Sequence, residues 1–262
     1  MLTTFRDIVA LLLEEYKNDI HVRIKPSDKE RFRALVSSIV TQNRKGVETT
    51  LKNIEKDQRF DGWDPGKFAT SVGRDLLTDY VGHGEKVRKI CDASESILRM
   101  GFDEWVEALK KEDAYIGQKT RDDFLKETGN LNYFPIDRYY PRFLARTGLL
   151  SKYTFDTKAD PAKFMDGLGD EKCYIAYKDM MINLCESNLK GLKYSNSNKR
   201  DFDLSENPGI VDMLIWRHCS AKDSGGSETC AKEPDCPNCR IKTLCEYGKS
   251  VTPKLRKQDV IK

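Results

Sequence analysis

The amino-acid sequence predicts an all-α protein. Apolar residues recur at helical spacing along most of its 262 residues, capping signals open or close several of these segments, and no convincing alternating strand interrupts them. Phe5, Ile8, Val9, Leu12, Leu13 and Tyr16 form one face of a first helix, with Arg6, Asp7, Glu14 and Glu15 opposite. This pattern is not that of an export signal, so an intracellular location, cytoplasm or nucleoid, is expected. Ser27-Asp28-Lys29-Glu30 is a capping box, followed by Phe32, Leu35, Val36, Ile39 and Val40 on one face. A third helix carries Val87, Ile90, Cys91, Ser94, Ile97 and Leu98. Shorter helices are expected over about 103–112 and 119–128, the latter stopped by Gly129. Another begins near Asp137 and presents Tyr140, Phe143, Leu144 and Thr147, with Pro141 tolerated in its first turn. Segment 170–189 repeats Tyr174, Tyr177, Met181, Leu184 and Cys185, and Asn207-Pro208 reads as an N-cap and first residue opening Ile210 to His218. Between these last two helices, Glu186 to Glu206 is rich in Lys, Asn and Ser and is expected to be a flexible loop.

A chain of this length buries a real core, as one large domain or two small ones. With 33% charged and 39% hydrophobic residues it has an ordinary soluble composition, and a net charge of only +3 does not announce nucleic-acid binding. No stretch approaches the roughly 18 apolar residues of a membrane span. Basic charge is local: between Arg240 and Lys262, seven Lys and Arg face Glu246 and Asp259. Such a tail is either a phosphate-facing surface or a solvated terminus.

Four of the eight cysteines, Cys230, Cys236, Cys239 and Cys245, are spaced C-x5-C-x2-C-x5-C, with Lys232, Arg240 and Lys242 among them. Thiolates this close together suit either a tetrahedral metal or an iron–sulfur cluster. A zinc ribbon would separate two C-x-x-C knuckles by a longer loop. A disulfide pair is the bland alternative, and an intracellular chain disfavours it. Cys91, Cys173 and Cys185 read as buried small hydrophobes, while Cys219, eleven residues before Cys230, is a spare or alternative ligand.

Asp113-Ala114-Tyr115-Ile116-Gly117-Gln118-Lys119-Thr120 links two helices by a tight turn. Gly117 would let the backbone come close to a partner, and the amides at Ile116, Gly117 and Gln118 at the helix start can hold a DNA phosphate without sequence preference; taken alone, such a turn is usually just a helix start. Eighteen residues after Lys119 stands Asp137, in Pro135-Ile136-Asp137-Arg138-Tyr139-Tyr140-Pro141-Arg142. The turn, the aspartate at that distance and the cysteine loop ending Leu244-Cys245-Glu246-Tyr247 together resemble the endonuclease III branch of the helix-hairpin-helix DNA glycosylases. The resemblance covers about residues 28–147 and 210–247.

It implies a two-domain, all-α helix-hairpin-helix glycosylase fold with a C-terminal [4Fe-4S] cluster on Cys230, Cys236, Cys239 and Cys245. A barrel-type domain over 26–133 would carry the hairpin. A discontinuous domain, 1–25 with 134–262, would end in the cluster loop at 230–245, and the active site would lie in the cleft between them. Lys119 would attack the sugar C1′, expel the base and form a Schiff base that permits strand cleavage by β-elimination. Such an amine must be partly neutral, which desolvation and nearby positive charge favour. Asp137, near a helix start, would stabilise the cationic sugar and help deprotonate the amine. Val40-Thr41-Gln42-Asn43 resembles the segment whose glutamine fills the gap left by the flipped base, and His83, at the tip of Val81-Gly82-His83-Gly84-Glu85-Lys86, would be the wedge. Arg142 would contact DNA. The cluster would be structural, fixing the basic loop.

The implied partner is double-stranded DNA containing a damaged base or an abasic site, bound by a monomer with no membrane association. An oxidised pyrimidine is the first substrate implied. An oxidised purine such as 8-oxoguanine, a uracil or mismatch, and a non-catalytic metal-stabilised DNA-binding module are the alternatives. Several residues depart from the family pattern. Tyr115 and Ala114 replace the first hairpin glycine and its proline, Arg138-Tyr139 replaces Thr-His, and both the first cysteine spacer and the wedge loop are one residue shorter.

Overall fold

The computed structural model describes residues 5–41, 47–111, 116–137, 139–150, 171–222 and 225–251. These are mostly helical and belong to two compact units, Arg23–Asn130 and Met1–Val22 with Leu131–Lys262.

The continuous unit holds α2 (Asp28–Thr41), α3 (Val47–Lys56), α4 (Pro65–Phe68), α5 (Ser71–Val81), α6 (Gly84–Met100), α7 (Phe102–Lys111) and α8 (Gln118–Glu127). Its capping box forms as the sequence predicts. The Ser27 amide donates to Glu30 Oε2 at 2.7 Å, and the Glu30 amide donates back to Ser27 Oγ at 3.4 Å. Phe32, Phe60, Trp63 and Phe68 stack around α2 and α4, while Phe102, Trp105 and Phe124 meet where α7 packs on α8. Gly73 of α5 lies so close to the Lys67 carbonyl that a Cβ would stand 2.1 Å from its oxygen, so only glycine fits there. On α6 the expected face is buried except Leu98, which is 57% exposed and lies off the stripe.

The discontinuous unit is built from α1 (Phe5–Tyr16), α9 (Tyr139–Thr147), α10 (Glu171–Asn188) and α11 (Pro208–Cys219). Its core joins Ile8, Val9 and Leu12 of α1 to Phe143 and Leu144 of α9, Met181 and Leu184 of α10, and Val211, Leu214 and Ile215 of α11. Two expectations are corrected here. Glu186 to Glu206 is not a loop: α10 runs to Asn188, and β1 (Lys193–Ser195) then pairs antiparallel with β2 (Asp201–Asp203), Tyr194 opposite Phe202. Both rings are buried, and the Tyr194 hydroxyl donates to the Ile20 carbonyl at 3.0 Å, so the hairpin is tied down by two aromatics in an otherwise polar stretch. Asn207 does precede α11, but its side chain does not cap it, donating instead to the Asp203 carbonyl at 2.8 Å.

Candidate functional site

Lys119 stands half-buried in the first turn of α8. The helix starts directly after Gly117, which is exposed, at φ −56°, with open space where a Cβ would be. The Ile116 side chain before it is 1% exposed and anchors the turn in the core, leaving only backbone for an outside partner. One turn on, Asp123 shares the face of Lys119. Its carboxylate accepts from Ser38 Oγ of α2 at 3.0 Å and from Lys126 Nζ at 3.1 Å, fixing α8 against α2. Burial pushes the Asp123 carboxyl up, but the charges of Lys126 and Lys119 and the hydrogen bonds from Lys126 and Ser38 outweigh it, and the net shift is downward. Asp123 is therefore an anionic neighbour of Lys119 that the spacing argument did not include, although its place four residues after Lys119 in a helix is readable from sequence.

In the same unit, Lys86 Nζ donates to the Val40 carbonyl at 2.9 Å, so the start of α6 abuts the end of α2. His83 is exposed at that corner, between Gly82 at φ +64° and the first residue of α6. Gln42 lies outside the described residues, as do Asp113, Ala114, Tyr115, Arg138 and the tail from Thr252.

Asp137 belongs to the other unit, half-buried just ahead of α9, its carbonyl accepting the Tyr140 amide at 3.0 Å. Behind it the buried Tyr140 hydroxyl donates to the Asp212 carboxylate of α11, pinning α9 by a polar contact inside the core. Arg142, expected to contact DNA, is turned inward. Its Nε and Nη2 are buried without a hydrogen-bond partner, its guanidinium lies 5.3 Å from the Tyr139 ring, and its charge acts on Cys219 and Cys230.

The cysteine loop follows α11. It folds back because the Cys230 amide donates to the His218 carbonyl at 3.0 Å and the Ser227 amide to the Arg217 carbonyl at 2.7 Å. A 3-10 turn over Cys236–Asn238 and an Ile241 side chain 1% exposed set the remaining register. Cys230, Cys236, Cys239 and Cys245 line one pocket with Arg146, His218 and Tyr247, none of the four cysteines more than 8% exposed and none in a disulfide. Arg146 of α9 clasps the loop. Its Nη1 donates to the Ala231 carbonyl at 2.6 Å and approaches Cys230 Sγ at 3.5 Å, while Nη2 donates to the Lys232 carbonyl at 3.0 Å. The Gly248 amide donates to Cys245 Sγ at 3.4 Å.

These contacts divide the thiols. Cys230 is lowered to about 6, first by the hydrogen bond from Cys219 and then by Arg146, whereas burial pushes Cys239 up to about 12 and raises Cys236 and Cys245. Cys219, buried beside Cys230, is raised well above the ordinary thiol value by desolvation. His218 is fully buried and lowered to about 4 by desolvation, so its imidazole is neutral at pH 7. Among the described residues, no three His, Cys, Asp or Glu side chains converge on one point for a single metal ion. Four free thiols around one pocket, with N–H groups aimed at two of the sulfurs, are residues that could hold a thiolate-ligated cluster, in which each sulfur serves its own iron.

The chain matches no model of a known protein family, and no curated protein matches it. No helix among the described residues is long and apolar enough to cross a membrane.

Proposed function

We propose that this protein is a base-excision DNA glycosylase with lyase activity, acting as a monomer within the cell on duplex DNA that carries a damaged base, an oxidised pyrimidine first among the candidates. The observation that carries this reading is the setting of Lys119, half-buried in the first turn of α8 behind an exposed glycine with room for a phosphate.

In this reading the duplex backbone approaches Gly117, and a flipped nucleotide presents C1′ to Lys119. The amine attacks C1′, the C1′–N bond breaks and its electron pair leaves with the base. Loss of the amine proton then opens the sugar to the iminium, and removal of a C2′ proton expels the 3′ phosphate. Asp137 stabilises the cationic sugar and takes up the amine proton. His83 fills the vacated stack from the α5–α6 corner, with Gln42 from the segment after α2. Cys230, Cys236, Cys239 and Cys245 hold a [4Fe-4S] cluster that cross-links the loop bearing Lys232, Arg240 and Lys242, and it supplies structure rather than chemistry at C1′.

Borohydride trapping tests the proposal on duplexes carrying an oxidised pyrimidine, 8-oxoguanine, uracil, a G·T mismatch or an abasic site. A covalent adduct with one lesion, absent in Lys119→Gln, is the expected result and names the substrate. Base release that survives in Lys119→Gln without any adduct would replace the lysine mechanism by direct attack of water.

A further inference from the structure

The cysteine loop makes one contact that reaches far along the chain. His218 Nε2 lies 3.7 Å from Cys239 Sγ, and on the other side of the ring Nδ1 lies 3.0 Å from the hydroxyl of Tyr16 at the end of α1. The Tyr16 oxygen is 2.9 Å from Ser227 Oγ, which is 2.9 Å from Thr229 Oγ1. The His218 ring is fully buried, so these are the only partners its nitrogens have within hydrogen-bond reach among those the structure gives.

A sulfur bound to iron carries no proton, so the hydrogen between Cys239 Sγ and His218 must sit on Nε2. Nδ1 is then a bare acceptor and needs a donor, which the Tyr16 hydroxyl supplies. Ser227 Oγ, beside the Tyr16 oxygen, donates to the His218 carbonyl at 3.2 Å, so it holds the backbone of the same residue. The ligand sulfur on one side of the ring and the Tyr16 hydroxyl on the other together fix an N–H directed at that sulfur. A hydrogen bond to a ligating thiolate stabilises the more negative, reduced state, and such bonds are among the terms that set cluster potentials.

We propose that His218, held in its Nε2–H tautomer by Tyr16, is a positioning residue that raises the reduction potential of the cluster through Cys239. The inference rests on the cluster reading above. Arg146 and Gly248 approach Cys230 and Cys245 from α9 and from the loop itself, whereas the His218 contact makes the electronics of the loop depend on α1, 202 residues away in sequence from its partner.

The test is voltammetry of the full chain adsorbed on a DNA-free electrode, which supplies the electron, for wild type, His218→Phe and Tyr16→Phe, with iron counted per chain. Expected are a clear shift to more negative potential in His218→Phe and a smaller shift of the same sign in Tyr16→Phe, at unchanged iron content. Unchanged potentials in both iron-loaded variants would overturn the proposal. If His218→Phe fails to hold iron, Tyr16→Phe decides alone, because it leaves the imidazole in place. Loss of iron from both would overturn tuning in favour of a purely structural role. A wild-type chain that binds zinc or no metal would instead overturn the cluster reading itself, which iron analysis distinguishes before any electrode is used.

Discussion

Asp123 shows how one side chain serves both packing and the candidate site. It accepts from Ser38 and Lys126, and its charge acts on Lys119 one turn before it. Its carboxyl is lowered in the folded chain, so the stability it contributes is present above the unfolded value of about 3.9 and is lost as pH falls below that value through the folded one. Asp123→Asn is expected to cost about 1–3 kcal/mol at pH 7, because Lys126 and Ser38 lose a charged partner. The difference from wild type should begin to shrink below about pH 4, where the carboxyl of the unfolded chain takes up a proton while the folded one, held lower, stays ionised. Urea unfolding of both proteins at pH 7 and pH 3.5 checks this, and a pH-independent difference would show that the carboxylate charge is not what holds α8 to α2.

At the scale of elements, the docking of the cysteine loop on α9 depends on a glycine. Gly148 follows α9 at φ +77°, and a Cβ there would stand 2.1 Å from the Glu246 carboxyl carbon. Gly148→Ala should therefore destabilise the chain by about 1–3 kcal/mol. Because the exposed Glu246 side chain can swing aside, the cost lies in the left-handed backbone at Gly148, and adding Glu246→Ala should recover little of it, which calorimetry of the single and double variants checks. Elements of this unit differ in how far the sequence announces them. α9 and α10 are legible because Phe143, Leu144, Tyr177, Met181 and Leu184 recur at helical spacing on a buried face. The 193–203 hairpin is not, because three-residue strands are too short to show a period and only Tyr194 and Phe202 turn inward. α3 to α5 escaped for a related reason: each buries only one to three residues, and their caps, Asp64 and Thr70, do not carry the box pattern. In the candidate site, the cysteines and Lys119 are legible from spacing. The inward turn of Arg142 is not, since an arginine 31 residues in sequence from the nearest cysteine, Cys173, gives no sign that the fold brings it to a thiol pair.

At the scale of the whole molecule, α1 precedes the 23–130 unit in sequence yet belongs to the unit otherwise built from Leu131 onward. Phe5, Ile8, Val9, Leu12 and Tyr16 are all at most 4% exposed there. Each such side chain contributes about 1.5–3 kcal/mol, which in sum rivals the 5–15 kcal/mol that typically separates a folded domain from its unfolded state. Deleting residues 1–22 should therefore unfold the discontinuous unit while the 23–130 unit, whose core is its own, keeps a cooperative transition. Circular dichroism of the truncated chain checks this: two transitions in wild type that become one are expected, and an unchanged melting profile would assign α1 a marginal role.

The same arrangement has a consequence for synthesis. α1 is made before the 23–130 unit, yet Tyr16 must wait for His218, and at about 5–20 residues per second the interval is roughly 10–40 s. Until α9, α10 and α11 follow in turn, its apolar face lacks part of its core, while the 23–130 unit already has everything it needs to close. The middle unit can thus close during synthesis while the amphipathic face of α1 is still waiting for its partners.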